Sequence, residues 1–133
     1  DTSAGVGDEQ LRWRSGVLAS FGYAAAGMRS LLTTQRSFRI QIAVALLAIV
    51  LAALLGLSTA EWALLALTIG LVLVAEMLNS VAEAAVDAVI QTYHPLAKVA
   101  KDVAAGAVLF ASFVSVVVGL LLLGPKLWRL LFG

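Results

Sequence analysis

The chain has 133 residues, 62% of them hydrophobic and 13% charged, with a formal net charge of +1 and a mean hydropathy of +1.01. A soluble domain carries about 25% charged and about 45–50% apolar residues, so this composition excludes an ordinary soluble enzyme and describes an integral membrane protein. The near-neutral balance argues against a nucleic-acid partner, and the lack of cysteine excludes disulfides and thiolate metal sites.

Residues 1–8 (DTSAGVGD) are small and polar and are expected to form a flexible leader. With Asp8 and Glu9 in the opening stretch, no cleavable signal peptide is expected, and residues 9–133 are read as a single membrane domain. From Glu9 to Leu32, apolar Leu11, Trp13, Val17, Leu18, Phe21 and Met28 interleave with Arg12, Arg14, Ser15 and Arg29. This pattern is too polar to span and predicts a basic amphipathic helix over 9–32, lying in the membrane interface with Trp13 and Tyr23 as interfacial aromatics. Thr33 to Ser37 interrupts it. Three apolar stretches follow, at 38–57, 62–89 and 97–123, each near or above the roughly 20 residues that a spanning helix needs. In the first turn, GLSTAE (56–61), Ser58 or Thr59 can cap the second helix, and Pro95 suits the first turn of the third. Gly124-Pro125 is expected to end the third span and leave KLWRLLFG as an interfacial tail.

The second span is too long for one bilayer, so its end is expected to project from the hydrocarbon. Of the nine basic residues, seven (Arg12, Arg14, Arg29, Arg36, Arg39, Lys98, Lys101) fall on one side of the predicted membrane and two (Lys126, Arg129) on the other. The bias predicts a cytoplasmic N-terminus and a cytoplasmic connection between the second and third spans.

The projecting end carries the chemistry. On a 3.6-residue period Glu76, Asn79, Glu83 and Asp87 fall at roughly 0°, −60°, −20° and +20°, one narrow polar stripe on an apolar helix. A charge in hydrocarbon costs from about 3 to well over 10 kcal/mol, so the stripe must face protein, water or a ligand. Lys101 and Asp102 open the third span, with Tyr93 and His94 just before them. Carboxylate and amide oxygens without cysteine suit Mg²⁺ rather than Zn²⁺. A lysine can neutralise phosphate charge, and a spare carboxylate can take a proton from an attacking hydroxyl. Neither GxxxxGK[ST] nor GxGxxG is present, so a nucleotide site here is not a standard P-loop or a protein-kinase glycine loop. On the residues alone, structural ion pairs with Lys98 and Lys101, or a proton or cation path, remain open.

EMLNSVAEAAVD (76–87) followed by YHPLAKVAKDVAAGAVL (93–109) resembles the signature of the small bacterial integral-membrane lipid kinases, the diacylglycerol kinase and undecaprenol kinase family. FGYAAAGMRSL (21–31) and SFRIQ (37–41) resemble that family's amphipathic-helix and first-span motifs, and the likeness covers about residues 15–123 in the family's order. The resemblance implies an all-α membrane fold, a homotrimer of protomers with an interfacial helix and three spans. It implies sites at the cytosolic face of the inner membrane, between subunits, and transfer of the γ-phosphate of MgATP to a lipid alcohol. By position, Glu76 matches the general base, Asn79 its partner and Glu83 a metal-binding carboxylate. Tyr23, Thr92, Tyr93, His94, Lys101 and Asp102 match nucleotide-site positions, and Asp87 a further polar position of the stripe. HPLAK and KDVAAGAVL look more like the undecaprenol kinase branch than the Gram-negative diacylglycerol kinase branch.

One position departs from the family. Where its members carry a second metal-binding glutamate before the first span, this chain has Gln35, which keeps an amide oxygen but no charge. Gln41 also stands where many relatives of the Gram-positive type have histidine. An active lipid kinase acting on undecaprenol first and diacylglycerol second is the favoured expectation. The alternative is a non-catalytic membrane subunit or assembly factor that keeps the fold with a weakened metal site. A small proton-coupled transporter is disfavoured, because three helices alone enclose no path.

Overall fold

The computed structural model describes residues 3–133, with side chains described from residue 16 onward. Four helices account for nearly all of it: α1 (Ser3–Thr34), α2 (Arg36–Leu55), α3 (Thr59–Val89) and α4 (Pro95–Phe132). There is no strand among the described residues. The expected leader overlaps the start of α1, which begins at Ser3; Asp1 and Thr2 lie outside the described residues, and the side chain of Trp13 does too. The chain divides into two compact units, residues 1–36 and 37–133.

In the first unit the last turn of α1 is closed by hydroxyls. Thr33 Oγ1 donates to the Arg29 carbonyl (2.9 Å) and Thr34 Oγ1 to that of Ser30 (2.6 Å). Both serve carbonyls at a terminus where intrahelical donors run out. Phe21 and Tyr23 are exposed on this helix.

The second unit holds three helices long and apolar enough to cross a membrane, α2, α3 and α4. All backbone bonds of such a helix close within the segment, which is the condition for crossing hydrocarbon. Gly56 takes φ +73°, a left-handed conformation that costs glycine little, and its N–H closes on the Ala52 carbonyl at 3.0 Å to finish α2. Ser58 then starts α3 with a complete capping box: its Oγ accepts from Glu61 N and its N–H donates to Glu61 Oε1, both at 3.2 Å. This cap places the helix start at Thr59, three residues before the apolar stretch expected from Trp62.

At 31 residues α3 is about 46 Å long, well beyond a hydrocarbon layer of about 30 Å. The packing that fixes it is small against large. Ala52 of α2, Leu65 of α3 and Leu123 of α4 form one buried cluster, and Val72 and Ala75 of α3 pack with Ala111 of α4 in a second. Alanines let helix backbones approach closely where lipid removes the ordinary hydrophobic drive. Phe38, in the first turn of α2, is fully buried.

The helix does not end at Gly124-Pro125 as expected: α4 runs through Pro125 to Phe132. Proline removes one N–H from the ladder, but the following KLWRLLF consists of ordinary helix formers and is held on both sides. Lys126 Nζ lies 3.4 Å from Glu61 Oε1, Arg129 Nε donates to the Pro125 carbonyl at 3.3 Å, and the Trp128 and Phe132 rings pack at 4.5 Å.

Candidate functional site

The stripe on α3 changes character along its length. Glu76 is 4% exposed, the one buried charged side chain among the described residues. Its Oε1 accepts a 2.6 Å hydrogen bond from Ser37 Oγ in the first turn of α2, and Ser80 Oγ donates to its backbone carbonyl at 3.0 Å. One turn on, Asn79 Nδ2 donates to Glu83 Oε1 at 3.4 Å. That orientation of the amide is the sensible one, because the reverse would set two oxygens against each other. It leaves Asn79 Oδ1 buried with no hydrogen-bond partner. Buried polar atoms are nearly always paired, so an orphaned acceptor is a reason to look for a ligand.

Farther along, the stripe reaches solvent. Asp87 accepts from Lys101 Nζ of α4 at 2.6 Å, and Lys98 pairs with Asp102 one turn apart. These exposed groups border a cleft of about 370 Å³ lined by Val86, Asp87, Ile90, Thr92, Tyr93, His94, Ala97, Lys98, Lys101 and Asp102. Five positions matched to the nucleotide site, Thr92, Tyr93, His94, Lys101 and Asp102, thus share one depression between α3, α4 and their connection. The local reason is the start of α4. Pro95 occupies its first position, and His94 caps it, Nδ1 accepting from Leu96 N at 3.2 Å. The histidine ring is therefore fixed by one nitrogen, leaving Nε2 as the atom that could meet a ligand.

Among the described residues no group of three or more His, Asp or Glu side chains gathers as a metal cage. What α3 offers instead is a pair of hard oxygens, the Glu83 carboxylate and Asn79 Oδ1. That set fits Mg²⁺, which takes one or two carboxylates and fills its octahedron with water and substrate phosphate. Tyr23 and Gln35 belong to the first unit. Tyr23 is exposed on α1, and Gln35 is half-buried with its N–H closing on the Leu31 carbonyl at 2.9 Å.

Several contacts escaped the sequence reading. Ser37 and Gln41 stand one turn apart on α2; Ser37 meets Glu76, and Gln41 Nε2 donates to Ser112 Oγ of α4 at 3.3 Å. Gln41 also borders an apolar cleft between the three spans, lined by Val44, Ala48, Leu65, Val72 and Leu123 among others. The available signal was the spacing of two polar residues four apart in an apolar helix. Lys98 likewise lines the cleft beside Lys101, although only Lys101 was expected at the nucleotide site.

A model of the prokaryotic diacylglycerol kinase family matches residues 22–123. The chain is 47% identical over 116 residues to a diacylglycerol kinase of Synechocystis sp., covering 86% of this chain and 66% of that one. It is 40% identical over 108 residues to an undecaprenol kinase of Bacillus subtilis, covering 81% and 88%. A diacylglycerol kinase of Escherichia coli is 36% identical over 107 residues, covering 80% and 88%. Every element of the site lies inside the matched segment.

Proposed function

The chain belongs to the prokaryotic diacylglycerol kinase family, and from that premise we propose that it is a membrane lipid kinase that moves the γ-phosphate of MgATP to the primary hydroxyl of a membrane lipid. Undecaprenol is the first acceptor in this reading, on the likeness of HPLAK and KDVAAGAVL to that branch, and diacylglycerol the second. The observation that carries the reading is the α3 stripe: a buried carboxylate at Glu76 and, one to two turns on, the Asn79–Glu83 pair with a free amide oxygen.

Glu76 acts as general base. It accepts the proton of the lipid hydroxyl as that oxygen attacks the γ-phosphorus and ADP leaves. Its burial within an apolar helix bundle suits a substrate that arrives from the bilayer, and the apolar cleft bordered by Gln41 suits a hydrocarbon chain. Asn79 stays beside the base and orients the Glu83 carboxylate through its amide. Lys101 neutralises phosphate charge from the α3–α4 cleft, with Thr92, Tyr93, His94 and Asp102 holding the rest of the nucleotide; Tyr23 is carried over as a nucleotide position by the family resemblance alone. Glu83 and Asn79 Oδ1 would hold Mg²⁺, and the ion would offset charge on the transferring phosphoryl group; Gln35 is carried over as a metal position by the family resemblance alone. The working form is a homotrimer in the inner membrane, with its N-terminus and site facing the cytoplasm, as the seven-to-two distribution of basic residues supports. A non-catalytic subunit is the weaker reading, since the relatives named above are kinases.

The test is purified protein in lipid–detergent micelles with MgATP and either undecaprenol or diacylglycerol, following phosphate on the lipid. Turnover with one or both is expected. No lipid phosphate with either acceptor, together with no MgATP binding, would overturn the reading.

A further inference from the structure

The buried base is held from another helix. Glu76 is almost wholly screened from solvent, and an ionised carboxylate offers two oxygens and no donor. Ser37 Oγ reaches one of them, Oε1, at 2.6 Å across 39 residues of sequence, within the range of a short charge-assisted O–H···O⁻ bond. Ser37 lies in the first turn of α2, directly before Phe38, which is fully buried and anchors that turn. The serine therefore rests on a fixed piece of backbone, and its side chain has only one torsion to set. At the other end of the contact, Ser80 Oγ ties the Glu76 carbonyl, so the turn of α3 that carries the base is fastened as well.

We infer that Ser37 is a positioning residue for the transfer: by donating to Oε1 it holds the Glu76 carboxylate in one rotamer and leaves Oε2 to take the lipid proton. The inference rests on the kinase reading for its catalytic part and on the Ser37–Glu76 contact for its structural part. In the step, the lipid O–H bond breaks and its proton passes to Oε2 of Glu76. The freed oxygen bonds to the γ-phosphorus, and the bond from that phosphorus to the ADP oxygen breaks. Ser37 keeps its own proton throughout. A carboxylate without that donor can rotate about its last torsion, which reduces the share of molecules in the reactive geometry.

The experiment compares wild type, Ser37→Ala, Ser37→Thr and Glu76→Gln in lipid–detergent micelles. Steady-state transfer is measured together with the infrared carboxylate stretch. Ser37→Ala is expected to lower kcat roughly tenfold, the loss of one hydrogen bond to a charged group, with KM for MgATP within twofold of wild type. Ser37→Thr, which keeps the hydroxyl, is expected to restore kcat to within about threefold. In the infrared spectrum, Ser37→Ala is expected to shift a carboxylate band that is absent from Glu76→Gln. Unchanged kcat in Ser37→Ala, or equal losses in kcat and MgATP affinity that Thr does not rescue, would overturn the positioning role. An unshifted band would overturn the contact itself. A wild type that phosphorylates neither lipid would overturn the kinase reading and the catalytic role with it, while the band would still decide the contact.

Discussion

Lys101 is the position where a bland structural explanation and the proposed phosphate contact give different numbers. Its Nζ sits 2.6 Å from Asp87 Oδ1, with the two side chains 40% and 64% exposed. A pair that open to solvent is worth about 0–1 kcal/mol, so breaking it from either side should hardly affect stability. If the pair were all that mattered, Asp87→Asn and Lys101→Met would be equivalent and nearly silent. A lysine that meets nucleotide phosphate behaves otherwise. Losing a hydrogen bond to a charged group costs about 1.5–3 kcal/mol, which is roughly a ten- to hundredfold loss of MgATP affinity. Asp87→Asn removes only a competitor for the same ammonium. Recovering at most about 1 kcal/mol would tighten MgATP binding by up to about fivefold. The assay is nucleotide binding by titration calorimetry alongside KM for MgATP at saturating lipid, with detergent unfolding as the stability control. MgATP affinity within twofold of wild type in Lys101→Met would refute the phosphate contact. Equal losses in both variants would refute the asymmetry on which the argument rests.

Other outcomes follow from the same geometry. Glu76→Gln should abolish lipid phosphorylation, by at least about a hundredfold for a general base, while MgATP binding stays near wild type; lost folding instead would assign the carboxylate a structural role. Gln35→Glu should lower the Mg²⁺ concentration needed for half-maximal rate, because a carboxylate adds charge to an oxygen ligand, and an unchanged titration would remove position 35 from the metal site. Ser58→Ala should cost about 1 kcal/mol of unfolding free energy by deleting the acceptor for Glu61 N–H, with catalytic parameters unmoved. A kcat loss in that variant would mean that the distal turn communicates with the site.

The membrane class, the three apolar helices, a cap at Ser58 or Thr59 and the place of Pro95 were legible in the chain itself, because each depends on neighbours within a few residues. A helix in hydrocarbon satisfies its own backbone, so apolar length alone announces it, and a capping box is written in four consecutive residues, Ser58 to Glu61. The polar stripe of α3 was legible for the same reason, since a 3.6-residue period is a local property. Where that reasoning failed, at Gly124-Pro125, it failed on a long-range contact. Glu61, 65 residues earlier than Lys126, helps hold the helix that proline was expected to end. The partners of the stripe belong to the same class of facts. That Ser37 donates to Glu76, that Asp87 meets Lys101, and that Asn79 keeps a buried oxygen free all depend on which faces of α2, α3 and α4 pack together. Periodicity says that a carboxylate needs company; only the packing of three helices decides whose.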